Sequence, residues 1–198
     1  METLGSIAAI LMASGFSKRF NGLNKLLVPF RGKPLARYTL ELVSALDFSG
    51  GIFFIAASEN VAAIAADLPV VTVIKNNAPE KGIRESVRLG VEAAGSGAGY
   101  YLFFPCDMPF LNADTVKSIL DLRRHGRIVE PHFRGVPGNP CLFSGTFRDE
   151  LLSLKEGETP RLIKERHPGA VIGFDVKNPS VLEDVDDEAS YIRILNRQ

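Results

Sequence analysis

The sequence predicts an α/β protein: a three-layer α/β/α arrangement, Rossmann-like, around a mostly parallel sheet. Three observations predict it. The run Ile7–Ala13 is continuously apolar, as a strand covered on both faces must be. Strand-like and helix-like stretches then alternate as far as about Arg124, the order that βαβ units impose. The loops after three of those strands are also unusual in composition, and an open parallel sheet binds ligands beyond the carboxyl ends of its strands.

Pro34 suits the first turn of a helix, and Leu35, Tyr38, Leu42, Ala45 and Leu46 continue it at helical spacing. Residues 51–58, GIFFIAAS, read as the second strand. Ser58 is a candidate cap for a helix running to Ala66. Residues 69–74, PVVTVI, read as the third strand. Residues 82–94 read as a helix with Ile83, Val87, Val91 and Ala94 on one face. The turn GSGAG leads into YYLFFP, the fourth strand, and Asn112 can cap a helix carrying Val116, Ile119 and Leu120. After Arg124 the pattern changes. Two short strand-like pieces flank a glycine-proline turn at residues 127–145. A helix at 159–167, a strand at 170–176 and a closing helix at 186–198 come after them. With no linker before it, this second part reads as an extension packed on the sheet, within a single domain.

Composition narrows the function classes. Of 198 residues, 23 are basic and 23 acidic, so no global field favours nucleic acid or an anionic membrane, and any anion site must be local. The apolar runs are too short to span a bilayer. Glu2 and the lack of a basic N-terminal stretch argue against a signal peptide, so a cytoplasmic location with Cys106 and Cys141 as reduced thiols is expected. The two cysteines and the three histidines have no metal-ligand spacing. Both cysteines stand beside candidate site motifs. They read either as small buried hydrophobes or as borders of an acceptor pocket.

The chemistry concentrates in three strand-end segments: ASGFSKRFNGLNK after the first strand, NNAPEKGIRES after the third and PCDMP after the fourth. ASGFSKRFNGLNK offers Gly15, the hydroxyls of Ser14 and Ser17, and the cations Lys18, Arg19 and Lys25. Backbone amides facing an anion, clamped by lysine and arginine, make a phosphate site. A solvated loop with chance cations is the plain alternative. The spacing is neither a Walker P-loop nor the dinucleotide fingerprint. PCDMPFL sets Asp107 at the mouth of an apolar strand, where magnesium finds carboxylate and phosphate oxygens together; a turn-forming Asp before proline is the alternative. In GVPGNPCLFS, Gly138 suits a close backbone approach to a ligand and Asn139 a hydrogen bond to it, while an Asn-Pro turn explains them equally. EDVDDE places Glu183, Asp184, Asp186 and Asp187 before the last helix, where the helix dipole alone would favour acids.

Taken together these residues resemble a known family. LMASGFSKRFNGLNKLL resembles the nucleotidyltransferase signature LAAGxSxRMGxxNKLL. CDMPFL, GNPCLF and LEDVDDEASY resemble its later motifs, a DMP, a GNP-V-LF and an LxDIDTPEDY. Their order and spacing are similar to those of the molybdenum cofactor nucleotidyltransferases, whose LAAG branch uses CTP and whose LAGG branch uses GTP. The resemblance runs from about Ile7 to Tyr191 and implies a nucleotidyltransferase fold. Residues 1–124 would then be the NTP-binding part and 125–198 the acceptor-binding part.

The resemblance also implies a role for each site residue. The loop with Ala13, Ser14, Gly15, Ser17, Lys18 and Arg19 would hold the triphosphate, with Ser86 against the nucleotide. Arg19 would stabilise charge growing on pyrophosphate. Lys25 would contact the nucleotide phosphates in the transition state. Asp107 would bind Mg²⁺, with Asp186 a second ligand or a holder of it through water. Gly138, Asn139 and Arg161 would line the acceptor side. CTP (or GTP) and molybdopterin would be the substrates, and a molybdoenzyme would receive the product.

This chain departs from the pattern in places. MASG puts Ser14 where the family's second alanine stands, a position that helps separate cytosine from guanine. Serine is nearer alanine in size and favours CTP. DVDDEASY keeps Asp184 and Asp186 but loses the later acids, and GETPR is one residue short of a family GDxGxR element. IRESVRLGV is also similar to a stretch of the methylerythritol phosphate cytidylyltransferase, whose HDAARP motif is missing here. A cofactor-binding chaperone without turnover is the non-catalytic alternative.

Overall fold

The computed structural model describes residues 5–15, 20 and 24–196. Its elements are β1 (Ile7–Ala13), β2 (Pro29–Phe30), β3 (Lys33–Pro34), α1 (Leu35–Ser44), β4 (Ile52–Ala56), α2 (Glu59–Ala62) and β5 (Val71–Lys75). They continue with α3 (Ile83–Ala94), β6 (Tyr100–Pro105), α4 (Ala113–Asp121), β7 (Ile128–Phe133), β8 (Val136–Pro137) and β9 (Cys141–Ser144). The chain closes with α5 (Arg148–Leu152), α6 (Pro160–Arg166), β10 (Val171–Asp175) and α7 (Glu188–Leu195).

The main sheet has the order β10-β7-β9-β6-β1-β4-β5, with β8 paired to β7. β1 lies parallel between β4 and β6. Alternate residues of β1 serve opposite layers, as the period of two requires. Ala9, Leu11 and Ala13 pack with Leu40 and Val43 of α1 and Val116 and Ile119 of α4. Ala8 and Ile10 pack with Val87 and Val91 of α3, Leu151 of α5 and Ile163 of α6. Gly90 of α3 rests directly on Ile10, leaving no room for a β-carbon. Helices therefore cover both faces, and the three-layer α/β/α expectation holds.

Several expectations need correction. The second part of the chain does more than pack on the sheet: α5 and α6 lie on its face, while β7, β9 and β10 extend it as hydrogen-bonded members. β9 runs antiparallel to both β6 and β7. The helix expected from Ser58 to Ala66 is capped by Ser58 but turns 3₁₀ at Ala63–Ala65. Pro34 is not in the first turn of α1; it stands at the cap position, at the end of the short hairpin strand β3. Ile83, the first residue of α3, leaves its apolar face and is 41% exposed. α5 and the β2–β3 hairpin have no counterpart in the sequence reading. That hairpin turns on Arg31 (φ 44°) and Gly32 (φ 88°), both left-handed, as a two-residue type I′ loop requires. Arg134 and Gly135 make the same turn between β7 and β8.

A third apolar cluster joins Phe20, Val28, Phe30, Leu35, Val185 and Ile194. It clamps the C-terminal segment onto the β2–β3 hairpin and so sets where Val185 and its acidic neighbours stand. No helix among the described residues is long and apolar enough to cross a membrane.

Candidate active site

Three segments converge at the carboxyl ends of β1 and β6. Asn24 caps a 3₁₀ turn, Lys25–Leu27, accepting from the Leu26 amide at 3.0 Å. Leu26 is buried in the core, so the preceding Lys25 projects into the cleft. Asp107 follows the β6 strand end. Its carbonyl accepts from the Val185 amide at 3.0 Å, which docks the C-terminal segment beside it. Lys25 Nζ lies 2.6 Å from Asp107 Oδ2 and 2.8 Å from Asp186 Oδ1. Burial draws the Lys25 pKa down, but Asp107 and Asp186 outweigh it, and the net direction is up. Asp184 moves up as well, through burial first and then the charges of Asp186 and Asp107.

The acidic run divides into distinct roles. Asp187 is the N-cap of α7 in a capping box with Ser190. Asp186 is held by its amide, which donates to Ser190 Oγ at 3.0 Å, so its carboxylate turns to Lys25. The dipole explanation accounts for Asp187 and not for Asp186.

The residues fit a divalent cation by one observation. Asp107 Oδ1 is buried and has no hydrogen-bond partner, although the same carboxylate bonds Lys25 through Oδ2. Two hard carboxylate oxygens with space for phosphate beside them suit magnesium. No group of three or more acids, histidines or cysteines placed to hold a metal occurs among the described residues.

A cleft of about 240 Å³ opens here, lined by Ser14, Gly15, Lys25, Gly82, Ser86 and Asp107 among others. Ser14 is 7% exposed, and its hydroxyl donates to the Ile55 carbonyl of β4 at 3.0 Å. Its side chain is thus tied to the sheet. Ala13 ends β1 in the core, and Ser86 is buried on α3 against the cleft. Ser17, Lys18 and Arg19 lie outside the described residues.

A second cleft of about 790 Å³ adjoins the first, sharing Met12 and Ile83. Gly138, Asn139, Cys141 and Arg161 line it. Gly138 needs no ligand to explain it: a β-carbon there would strike the Val181 carbonyl and side chain, so the close approach is to its own chain. The Gly138 amide donates to Pro131 and the Asn139 amide to Val181, at 2.8 and 2.9 Å. Arg161 is largely exposed and pairs with Glu165 one turn on at 2.8 Å. Of the two cysteines, Cys141 borders this cleft and Cys106 packs in the core. Burial pushes the Cys141 thiol up to about 12 and the Cys106 thiol well above its ordinary value.

The sequence reading missed Glu130 and Lys164, which also line the larger cleft. The signal was present: a glutamate in the apolar strand RIVEPHF, with His132 two residues on and therefore on the same face.

Residues 9–170 match the family described as MobA-like NTP transferase domain. Nicotine blue oxidoreductase of Paenarthrobacter nicotinovorans is 24% identical over 97% of this chain and 98% of that protein. Molybdenum cofactor guanylyltransferase of Cupriavidus metallidurans is 34% identical over 60% of this chain and 56% of that protein. In fold, a nucleotidyl transferase from Methanothermobacter thermautotroptrophicus superposes with a TM-score of 0.82, at 20% identity over 96% of each chain. A Mycobacterium tuberculosis protein solved in complex with manganese gives a TM-score of 0.72, at 23% identity over 98% of this chain and 100% of the other.

Proposed function

The chain belongs to the MobA-like NTP transferase family, and from that premise we propose that it moves CMP from CTP onto the phosphate of molybdopterin. The observation that carries this reading is Lys25 held between Asp107 and Asp186 at the strand ends, beside a cleft of about 240 Å³.

An acceptor phosphate oxygen attacks the α-phosphorus in line. A new P–O bond forms, the α–β anhydride bond breaks, and its electron pair leaves with pyrophosphate. Such a reaction asks the protein for position and charge neutralisation rather than covalent chemistry. The turn after Ala13 presents the Ser14 and Gly15 backbone to the nucleotide, with Ser86 on the facing helix. By the family resemblance, Ser17 and Lys18 would contact the triphosphate and Arg19 would neutralise charge on the leaving pyrophosphate. Lys25 stays an ammonium at neutral pH, and its place between Asp107 and Asp186 supports a role at the reacting α-phosphate. Asp107 and Asp186 would hold Mg²⁺, which when bound supplies a further positive charge to the phosphate oxygens. The larger cleft, with Asn139 and Arg161 on its wall, receives the acceptor, and a molybdoenzyme takes the product.

Ser14 supports CTP. Its hydroxyl is anchored to Ile55, so the position carries a fixed side chain that would crowd a purine. GMP transfer from GTP is the second reading, supported by the relative named molybdenum cofactor guanylyltransferase. The test is to incubate the protein with Mg²⁺, molybdopterin and each NTP in turn and to measure pyrophosphate. Release with CTP is expected. Release with GTP alone would assign the second reading, and none with any NTP would overturn the transfer.

A further inference from the structure

The larger cleft carries a charged group that phosphoryl chemistry does not use. Glu130 stands on β7 at 6% exposure. Its Oε1 lies 3.0 Å from His132 Nε2, and its Oε2 bonds the Lys164 ammonium from α6. Apolar residues of similar volume would join a strand to a helix at least as firmly as a buried ion pair does. Yet this pair faces an open cleft instead of filling a core. Each carboxylate oxygen can accept a further hydrogen bond, and its two neighbours fix the direction in which it does so.

The surrounding wall is mostly apolar, with Met12, Phe103, Phe143 and Val171 on it. A mostly apolar slot with one buried carboxylate held in place suits a flat ring whose edge carries N–H donors; the other carboxylate on the wall, Glu165, is exposed and paired with Arg161. A polyol would leave hydroxyl groups unpaired against phenylalanine and valine. Because both clefts share Met12 and Ile83, a ring held at Glu130 can direct its phosphate toward the nucleotide.

We propose that Glu130, held by Lys164 and His132, is the specificity-determining residue of the acceptor cleft: it reads the N–H donor edge of a phosphorylated nitrogen heterocycle and disfavours sugar phosphates. The assignment rests on the acceptor reading above for its phosphate, but not for its ring.

The test uses Glu130→Gln, and Glu130→Gln combined with Lys164→Gln so that no lysine is left buried alone. Binding is followed by quenching of the fluorescence of 6-hydroxymethylpterin, the probe. Thermal midpoints and the KM values for acceptor and NTP are measured alongside. Both variants should bind the probe at least tenfold more weakly, and the acceptor KM should rise in step while the NTP KM stays put. A pair that is only structural would lower the midpoint and leave probe binding unchanged, which overturns the assignment. Failure of the unaltered protein to bind the probe overturns it too. If the protein binds the probe through Glu130 but releases no pyrophosphate with any NTP, the transfer reading fails and the Glu130 assignment stands. Transfer with an unchanged acceptor KM in Glu130→Gln overturns the Glu130 assignment and leaves the transfer reading in place.

Discussion

The Lys25 ammonium lies 2.6 Å from Asp107 Oδ2 and leaves Oδ1 of the same carboxylate without a hydrogen-bond partner. A divalent cation on Oδ1 would therefore compete with Lys25 for the charge of one carboxylate. Asp186, 2.8 Å from the same nitrogen, is drawn into the same competition. Replacing Lys25 by Ala should tighten Mn²⁺ binding to the nucleotide-free protein, read by the loss of free-ion signal in electron paramagnetic resonance. It should also lower turnover about 10²–10³-fold, more than it weakens NTP binding, if the ammonium stabilises the transition state. Unchanged Mn²⁺ affinity would show that the two do not compete.

Asp107→Asn should abolish metal-dependent turnover and leave the fold intact. The contact that docks the C-terminal segment uses the Asp107 backbone carbonyl, which the substitution keeps. Circular dichroism and a thermal melt check the second half of this expectation. Wild-type turnover in the variant would remove Asp107 from the chemistry.

At Ser14 two substitutions separate packing from selectivity. Ser14→Ala removes the hydrogen bond to Ile55 and should cost about 1 kcal/mol of stability while base preference stays as it is. Ser14→Gly removes the side chain as well and should let GTP compete with CTP. A glycine variant confined to CTP would place base recognition elsewhere, with Gly82 and Ser86 the nearest candidates on the cleft wall.

Gly138→Ala should destabilise the protein by about 1–3 kcal/mol, because the new methyl must displace Val181. Urea denaturation measures this directly. A neutral effect would mean that the residue 181 segment gives way freely.

The thiols give a pH prediction. Burial raises both pKa values in the folded chain, with Cys141 at about 12. The folded state therefore favours the neutral thiol. That contribution to stability is complete below the ordinary thiol value near pH 9 and is lost as pH rises from there toward 12. At about pH 8, just below the ordinary thiol value, an aromatic disulfide reagent should label both cysteines in guanidinium and neither in the native protein. Rapid native labelling would show that Cys141, on the cleft wall, is more open than its burial implies.

The legible parts of the fold were those with a strong local signal. β1 and β6 read as strands because they are apolar on both faces, and Val87 and Val91 marked the inner side of α3. The β2–β3 hairpin left little trace: its strands are two residues long, and Arg31 stands where Asn or Asp usually announces such a turn. The antiparallel seat of β9 between β6 and β7 is a non-local pairing that no window of sequence contains. In the site, Asp107 was legible from its place at a strand end. Asp186 and Asp187 could not be told apart, since both acids precede the same helix; only the fold shows that one caps it while the other faces Lys25. Gly138 looked like room for a ligand and proved to be room for Val181.

The Lys25–Asp186 contact spans 161 positions of sequence, and it has a consequence for the order of events during synthesis. During synthesis Lys25 leaves the ribosome long before Asp186 does. A chain interrupted before residue 185 would contain every strand of the sheet, yet would lack Val185 against Asp107 and Asp186 against Lys25. The strands of the sheet are thus all made before the Lys25–Asp186 pair can form. A copy stopped there keeps the strands, Lys25 and Asp107 but lacks the second carboxylate that pairs with Lys25.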